Sequence, residues 1–200
     1  IGAKRVLFND DYYPALSRPN VELVTDSIER IEPAGVRSRT GELHAADVII
    51  YATGFKSTDF LAPMQITGRG GLDLKLEWSK GARAYLGVTV TGFPNFFMLY
   101  GPNTNLGHNS ILVMIEAQVG YILDALAKMK TRGVKRIEVR RDVLEDYNRS
   151  LQQDLARSVW AATGASWYKL ADGTITNNWP HSTIRYQRLL REAKLEDYDS

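Results

Sequence analysis

The segment Phe96-Phe97-Met98-Leu99-Tyr100-Gly101-Pro102-Asn103-Thr104-Asn105-Leu106-Gly107-His108-Asn109-Ser110-Ile111-Leu112 organises the chain around it. Five apolar residues, Phe96 to Tyr100, read as a buried strand. Pro102 forbids further strand pairing just beyond them. A helix then starts behind Asn109 or Ser110, either of which can act as its N-cap. Ile111, Ile115, Val119, Ile122, Leu126 and Met129 recur at helical spacing and predict one apolar face. Lys128, Lys130 and Arg132 suit the negative C-terminal end, and Gly133 offers a stop.

Upstream, Asp47-Val48-Ile49-Ile50-Tyr51 is a second apolar, partly β-branched run, closed by the small residues Ala52-Thr53-Gly54. It predicts a buried strand of parallel type. Val21-Glu22-Leu23-Val24 predicts a short strand. Residues 27–42 predict a β-hairpin, with turns at Pro33-Ala34-Gly35 and Thr40-Gly41. Downstream, Ile137-Glu138-Val139 predicts a short strand. A helix capped by Asp142 carries Leu144, Tyr147, Leu151 and Leu155 on one face. Residues 160–181 are irregular, and a polar helix is expected from about Thr183 to Lys194. Strands interleaved with helices make the fold class α/β. In open α/β sheets, ligands sit beyond the carboxyl ends of strands, where both glycine-bearing loops fall.

Composition narrows the function classes. The 200 residues are 44% hydrophobic and 24% charged, with net charge +2, which implies no strong nucleic-acid field. There is no cysteine, which removes disulfides, thiolate catalysis and cysteine metal sites. His44, His108 and His181 show no metal-binding spacing, so no metal is expected. No apolar run approaches the roughly 18 residues of a bilayer span, and a cytoplasmic protein is expected. Gly68 and Gly70 begin a G-x-G pattern, but Asp73 stands where its third glycine would be. Ser110 with His108 lacks the G-x-S-x-G elbow of a hydrolase.

Several motifs, in order along the chain, carry a family resemblance. Asp47 to Phe55 resembles the Asp-x-hydrophobic-Ala-Thr-Gly-aromatic signature of class B flavoprotein monooxygenases. Gly92-Phe93-Pro94-Asn95-Phe96-Phe97 with Gly101-Pro102-Asn103 is similar to their second C-terminal signature, and Glu116 fits the helix that follows. Gly2-Ala3-Lys4-Arg5, Asp11-Tyr12-Tyr13, Arg18 and Asn20-Val21 resemble a stretch of the Baeyer–Villiger type, the group of cyclohexanone, phenylacetone and 4-hydroxyacetophenone monooxygenases. Ser166-Trp167 is like a Ser-Trp pair of the same family.

The resemblance implies part of a flavoprotein fold with two Rossmann-like dinucleotide-binding domains, for FAD and NADP, and a helical C-terminal region. Residues 1–50 would end the NADP domain, and residues 51–200 would form the C-terminal half of the FAD domain plus a tail. Lys4 would touch the NADP 2′-phosphate, and Arg5 would be the catalytic arginine beside the reacting flavin. Ala52, Thr53 and Gly54 would pass close to FAD. Backbone of Asn109, Ser110 and Ile111 would meet the flavin ring edge, where a helix N-terminus suits charge gained on reduction. Trp167 would pack near the nicotinamide nucleotide, and Leu106 and His108 are substrate-pocket candidates.

Each site has a plainer reading beside it. Lys4-Arg5 can be a solvated basic pair, Ala52-Thr53-Gly54 a tight turn, and Asn109 with Ser110 a helix cap. Trp167 can be a core aromatic, and His108 an ordinary loop residue. The family's two glycine-rich phosphate loops are not in this sequence. The expected partners are therefore N-terminal FAD and NADP segments of the same protein, a small ketone and O2. The implied activity is NADPH-dependent oxidation of a ketone to an ester or lactone, with the chain inactive in isolation. Two alternatives stay open: N- or S-oxygenation by a related flavin enzyme, and a non-catalytic remnant serving as an interaction module.

Overall fold

The computed structural model describes residues 7–164, 166 and 168–200. The chain falls into two compact units that meet in sequence at Phe55 and Lys56.

In the first unit, residues 7–55, a short helix α1 (Tyr12–Leu16) precedes a three-stranded antiparallel meander. Its strands are β1 (Ile28–Glu32), β2 (Gly35–Ser38) and β3 (Leu43–Ala45). Ile31 pairs with Val36 and Val36 with His44, so the expected hairpin is present and a third strand extends it. Gly35 is required at the first turn. Its φ is 149°, and a Cβ there would lie 2.1 Å from the His44 carbonyl oxygen. Arg37 grips Glu32 with two hydrogen bonds of 2.6 and 3.0 Å and donates a third to the Gly41 carbonyl, tying both turns together.

The second unit, Lys56–Ser200, contains α2 (Leu74–Glu77), α3 (Ile111–Arg132), β4 (Glu138–Val139), α4 (Arg141–Leu155), α5 (Thr183–Leu189) and β5 (Tyr198–Asp199). Strands β4 and β5 pair antiparallel, which folds the end of the chain onto the segment that follows α3. Beneath them the Tyr121 and Tyr198 hydroxyls meet at 2.7 Å, and Tyr85 donates to Asp197 at 2.6 Å. Burial pushes the ionisation of both Tyr85 and Tyr121 well above the usual phenol range. The buried Glu138 accepts at Oε1 from both the Gly92 amide at 2.9 Å and Arg69 at 3.1 Å, so its charge is met by a cation and a backbone donor.

Helix α3 begins on the Ser110 cap and ends at Gly133 in the left-handed conformation, both as its sequence predicts. Its buried face is rotated from the expected one and shares only Met129 with it. Met114, Gln118, Tyr121, Ala125 and Met129 point inward, while Val119 and Leu126 are 39% and 46% exposed. Tyr121 and Gln118 go inward because their polar ends find partners there, which an apolar count does not register.

Other expectations also need correction. Val21–Val24, Asp47–Tyr51 and Phe96–Tyr100 form no strand. Val48 and Ile50 are 77% and 86% exposed, because no described strand lies beside them to pair with. At the second run, Met98 N–H bonds the Val88 carbonyl, but Tyr100 then turns to φ 55° and ends any extended path. The sheets are antiparallel, so the parallel strands expected of the class are not among the described residues. Asp142 is not the cap of α4. Arg140 occupies that position, and Asp142 lies in the first turn, paired to it at 2.7 Å. Helix α5 stops at Leu189 rather than Lys194, since Leu190 and Ala193 turn into the core.

Candidate flavin-facing site

The loop from Tyr100 to Ser110 is held in place by asparagines. Asn103, buried with φ 58°, donates from its side chain to the Ile175 and Asn178 carbonyls at 2.8 and 3.2 Å. The Asn103 amide bonds the Thr176 carbonyl, and the Asn105 amide bonds Asn177. Asn105 Nδ2 reaches Asn178 Oδ1 at 2.7 Å, and Trp179 N–H returns to the Asn105 carbonyl. The irregular segment 175–179 thus serves the loop as a neighbouring strand would. A left-handed asparagine is tolerated here because its side chain satisfies buried carbonyls that would otherwise be unpaired.

Two glycines permit the tight path. A Cβ on Gly101 would sit 2.3 Å from the Gly87 carbonyl oxygen, and one on Gly87 would sit 2.1 Å from Thr104 Cγ2. Thr104 is fully buried and donates to the Gly101 carbonyl at 2.7 Å.

The loop ends at the start of α3. Asn109 Oδ1 accepts from the Ser110 amide at 2.7 Å, and Asn109 Nδ2 donates to Thr183 at 3.2 Å. Ser110 Oγ accepts from the Leu112 amide at 3.3 Å. Asn109 and Ser110 are exposed, and the Ile111 amide has no partner among the described residues. The start of a 22-residue helix therefore offers backbone N–H and the positive end of its dipole outward. That donor set fits the electron-rich carbonyl edge of a flavin ring. The plainer reading coexists with it, since Ser110 also caps the helix and Asn109 holds the Ser110 amide.

Beside the loop lies a cleft of about 380 Å³, lined by Ser57, Phe60, Tyr100, Gly101, Asn105, Tyr168 and Asn177. Tyr100 donates its hydroxyl to Asn105 Oδ1 at 2.9 Å. No charged side chain is among these lining residues.

Of the residues singled out in the sequence, Asn109, Ser110 and Ile111 stand together at the helix start. His108 is exposed next to them, and Leu106 is only 1% exposed within the core. Ala52, Thr53 and Gly54 are exposed and irregular, with Gly54 at φ 78°. Lys4, Arg5 and Trp167 lie outside the described residues. The polar residues that build the loop, Asn103, Asn105, Gln118, Asn178 and Thr183, were not legible as site residues. The only hint was the recurrence of asparagine in 103–109 and 177–178.

No protein-family model matches the chain. It is 45% identical over 204 residues to the FAD-binding monooxygenase ktnD of Aspergillus niger, an alignment covering 99% of this chain and 33% of that protein. It is 44% identical to a Baeyer–Villiger monooxygenase of Pseudomonas aeruginosa, over 99% of this chain and 38% of that protein. Among solved structures, OTEMO in complex with FAD and NADP superposes with a TM-score of 0.87 at 28% identity, over all of this chain and 38% of that one. A steroid monooxygenase bound to NADP gives 0.79 at 33% identity, over 95% of this chain and 36% of that one. The chain thus spans about a third of the length of the relatives it matches.

Proposed function

Because the chain belongs to the Baeyer–Villiger-type class B flavoprotein monooxygenases, matching their C-terminal part, we propose that the whole protein is an FAD- and NADPH-dependent enzyme that inserts one oxygen atom of O2 into a ketone. The observation that carries this reading is the outward-facing start of α3, set by a loop whose backbone is pinned on both sides. FAD, once reduced by NADPH, supplies the oxygen-activating chemistry.

This chain's own residues bind and orient. The Ile111 amide meets the flavin carbonyl edge and favours the charge gained on reduction, because it is fixed before that charge appears, while the Ser110 amide stays on Asn109 Oδ1. Ala52, Thr53 and Gly54, an exposed irregular stretch with Gly54 at φ 78°, pass close to FAD. Lys4 pairs with the 2′-phosphate of NADP, a cation against a dianion. Arg5 stays charged at any working pH and stabilises the anionic character of the reacting ketone. Trp167 packs against the nicotinamide nucleotide and His108 borders the substrate, whereas Leu106, 1% exposed, supports the loop from within the core and does not reach the substrate. In this reading residues 1–50 close the NADP domain and residues 51–200 belong to the FAD domain and tail. The break between compact units after Phe55 supports a boundary close to that point. The pyrophosphate clamps come from FAD and NADP segments carried elsewhere in the same protein. Among the described residues no helix is long and apolar enough to cross a membrane.

The test is Arg5→Ala in the whole flavoprotein. Ester formation should fall by at least a hundredfold, the scale of losing one fixed charge-stabilising group, while NADPH still reduces the flavin. Undiminished ester formation refutes the role given to Arg5. An amine or sulfide oxidised in preference to any ketone would replace the Baeyer–Villiger reading with heteroatom oxygenation.

A further inference from the structure

Gln118 lies two turns into α3 and is fully buried, an unusual position for an uncharged amide with no apolar contribution to make. Its Oε1 accepts the Tyr100 backbone N–H at 2.9 Å. Its Nε2 donates to the Tyr186 hydroxyl of α5 at 2.9 Å and to the Gly87 carbonyl at 3.4 Å. Tyr186 in turn donates to the Leu86 carbonyl at 2.6 Å. One side chain therefore joins α3, α5, the turn at Leu86–Gly87 and the first residue of the flavin-facing loop.

The bond to Tyr100 falls where the backbone is least at ease. Tyr100 has φ 55°, a left-handed conformation that a bulky residue rarely adopts. Such a residue persists when its surroundings over-determine it. Here its amide is claimed by Gln118, its hydroxyl reaches Asn105, and its neighbour Gly101 is packed against Gly87. From this residue the loop runs to Ser110 and re-enters α3, the helix that carries Gln118. The amide thereby closes residues 100–118 into a ring whose far side is the helix start.

We propose that Gln118 is a positioning residue: it fixes the origin of the 100–110 loop, and through it the placement of the helix start and its Ile111 amide against the flavin. This rests on the flavoprotein reading given above. Because a preorganised donor stabilises the reduced flavin only while it is held in place, a loosened loop lowers the reduction potential.

The test compares two variants of the whole flavoprotein. Gln118→Met keeps the size but gives up every bond of the hub, including the one to Tyr100. Tyr186→Phe gives up the α5 bonds and leaves the bond to Tyr100 intact. Both lower the melting temperature. Only Gln118→Met is expected to shift the flavin equilibrium towards the oxidised form, by about tenfold, or about 30 mV for a two-electron couple. It should also speed exchange of the Tyr100 amide hydrogen. If Gln118→Met does not fold, Gln118→Asn serves instead: its amide is one methylene shorter and falls short of the Tyr100 N–H, so the same fall in potential is expected. The proposal is overturned if the potential is unchanged in Gln118→Met, or in Gln118→Asn where that variant takes its place, or if Tyr186→Phe shifts it equally. A wild-type protein that binds no flavin sinks the flavoprotein reading and takes this proposal with it. A flavin-bound wild type with an indifferent Gln118 sinks this proposal alone.

Discussion

Replacing Gly87 by alanine should cost the Lys56–Ser200 unit about 2–5 kcal/mol, from two separate penalties. Gly87 has φ 68°, and holding an L-residue there costs about 1–2 kcal/mol. Its new Cβ would also stand 2.1 Å from Thr104 Cγ2 and 3.0 Å from the Pro102 carbonyl oxygen. Thr104 cannot swing aside without giving up its 2.7 Å bond to Gly101, and it is fully buried. Overpacking of that kind costs about 1–3 kcal/mol. At about 2–4 °C per kcal/mol for a domain of this size, the melting temperature should drop by about 4–20 °C. Gly120→Ala is the matched control. Gly120 lies in the exposed middle of α3 with nothing within 4 Å of its added Cβ, so alanine should stabilise by about 0.5–1 kcal/mol. Urea unfolding of the purified chain, followed by circular dichroism, measures both. A Gly87→Ala change within 0.5 kcal/mol of wild type would show that the loop is not packed as described.

Two further predictions concern the buried polar groups. The tyrosine cluster of Tyr85, Tyr121, Tyr186 and Tyr198 ionises higher in the folded chain than in the unfolded one, chiefly through burial. Its contribution is therefore fully present below pH about 10, the unfolded phenol value, and is lost as pH rises beyond it. Stability should fall above pH 10 by up to about 1.4 kcal/mol per pH unit for each tyrosine. The phenolate absorbance of these four residues, isolated by comparison with their phenylalanine variants, should then appear in step with unfolding; their ionisation well before unfolding would contradict the burial argument. Glu138→Ala should cost about 1–3 kcal/mol by orphaning the buried Gly92 amide. Glu138→Gln should cost under about 1 kcal/mol, because it keeps that acceptor and Arg69 is mostly exposed. Equal losses in urea titrations of the two variants would refute the assignment.

What was legible in the sequence follows from the range of the interactions involved. The ends of α3 were readable because caps are local: Ser110 bonds a residue two positions on, and Gly133 adopts its own conformation. The hairpin at residues 28–38 was readable for the same reason, its turn being a matter of three residues. The strands expected at 47–51 and 96–100 were not realised, because a strand is a property of its neighbours and none pairs with these runs. The inward face of α3 was misjudged because Gln118 and Tyr121 are buried through partners 68 and 77 residues away. The asparagine lattice is likewise non-local: Asn103 and Asn105 are matched to 175–178 across more than 70 residues. Local capping located the helix start, whereas of the asparagines that hold the loop before it only Asn103 falls within one of the family motifs.

The claim that the start of α3 faces a flavin is tested most directly by a crystal structure of the whole protein grown with FAD. The Ile111 amide nitrogen should lie at hydrogen-bond distance, about 2.7–3.2 Å, from a carbonyl oxygen of the isoalloxazine ring. A flavin bound elsewhere, with protein packed over the Ser110 end of the helix, would contradict the account.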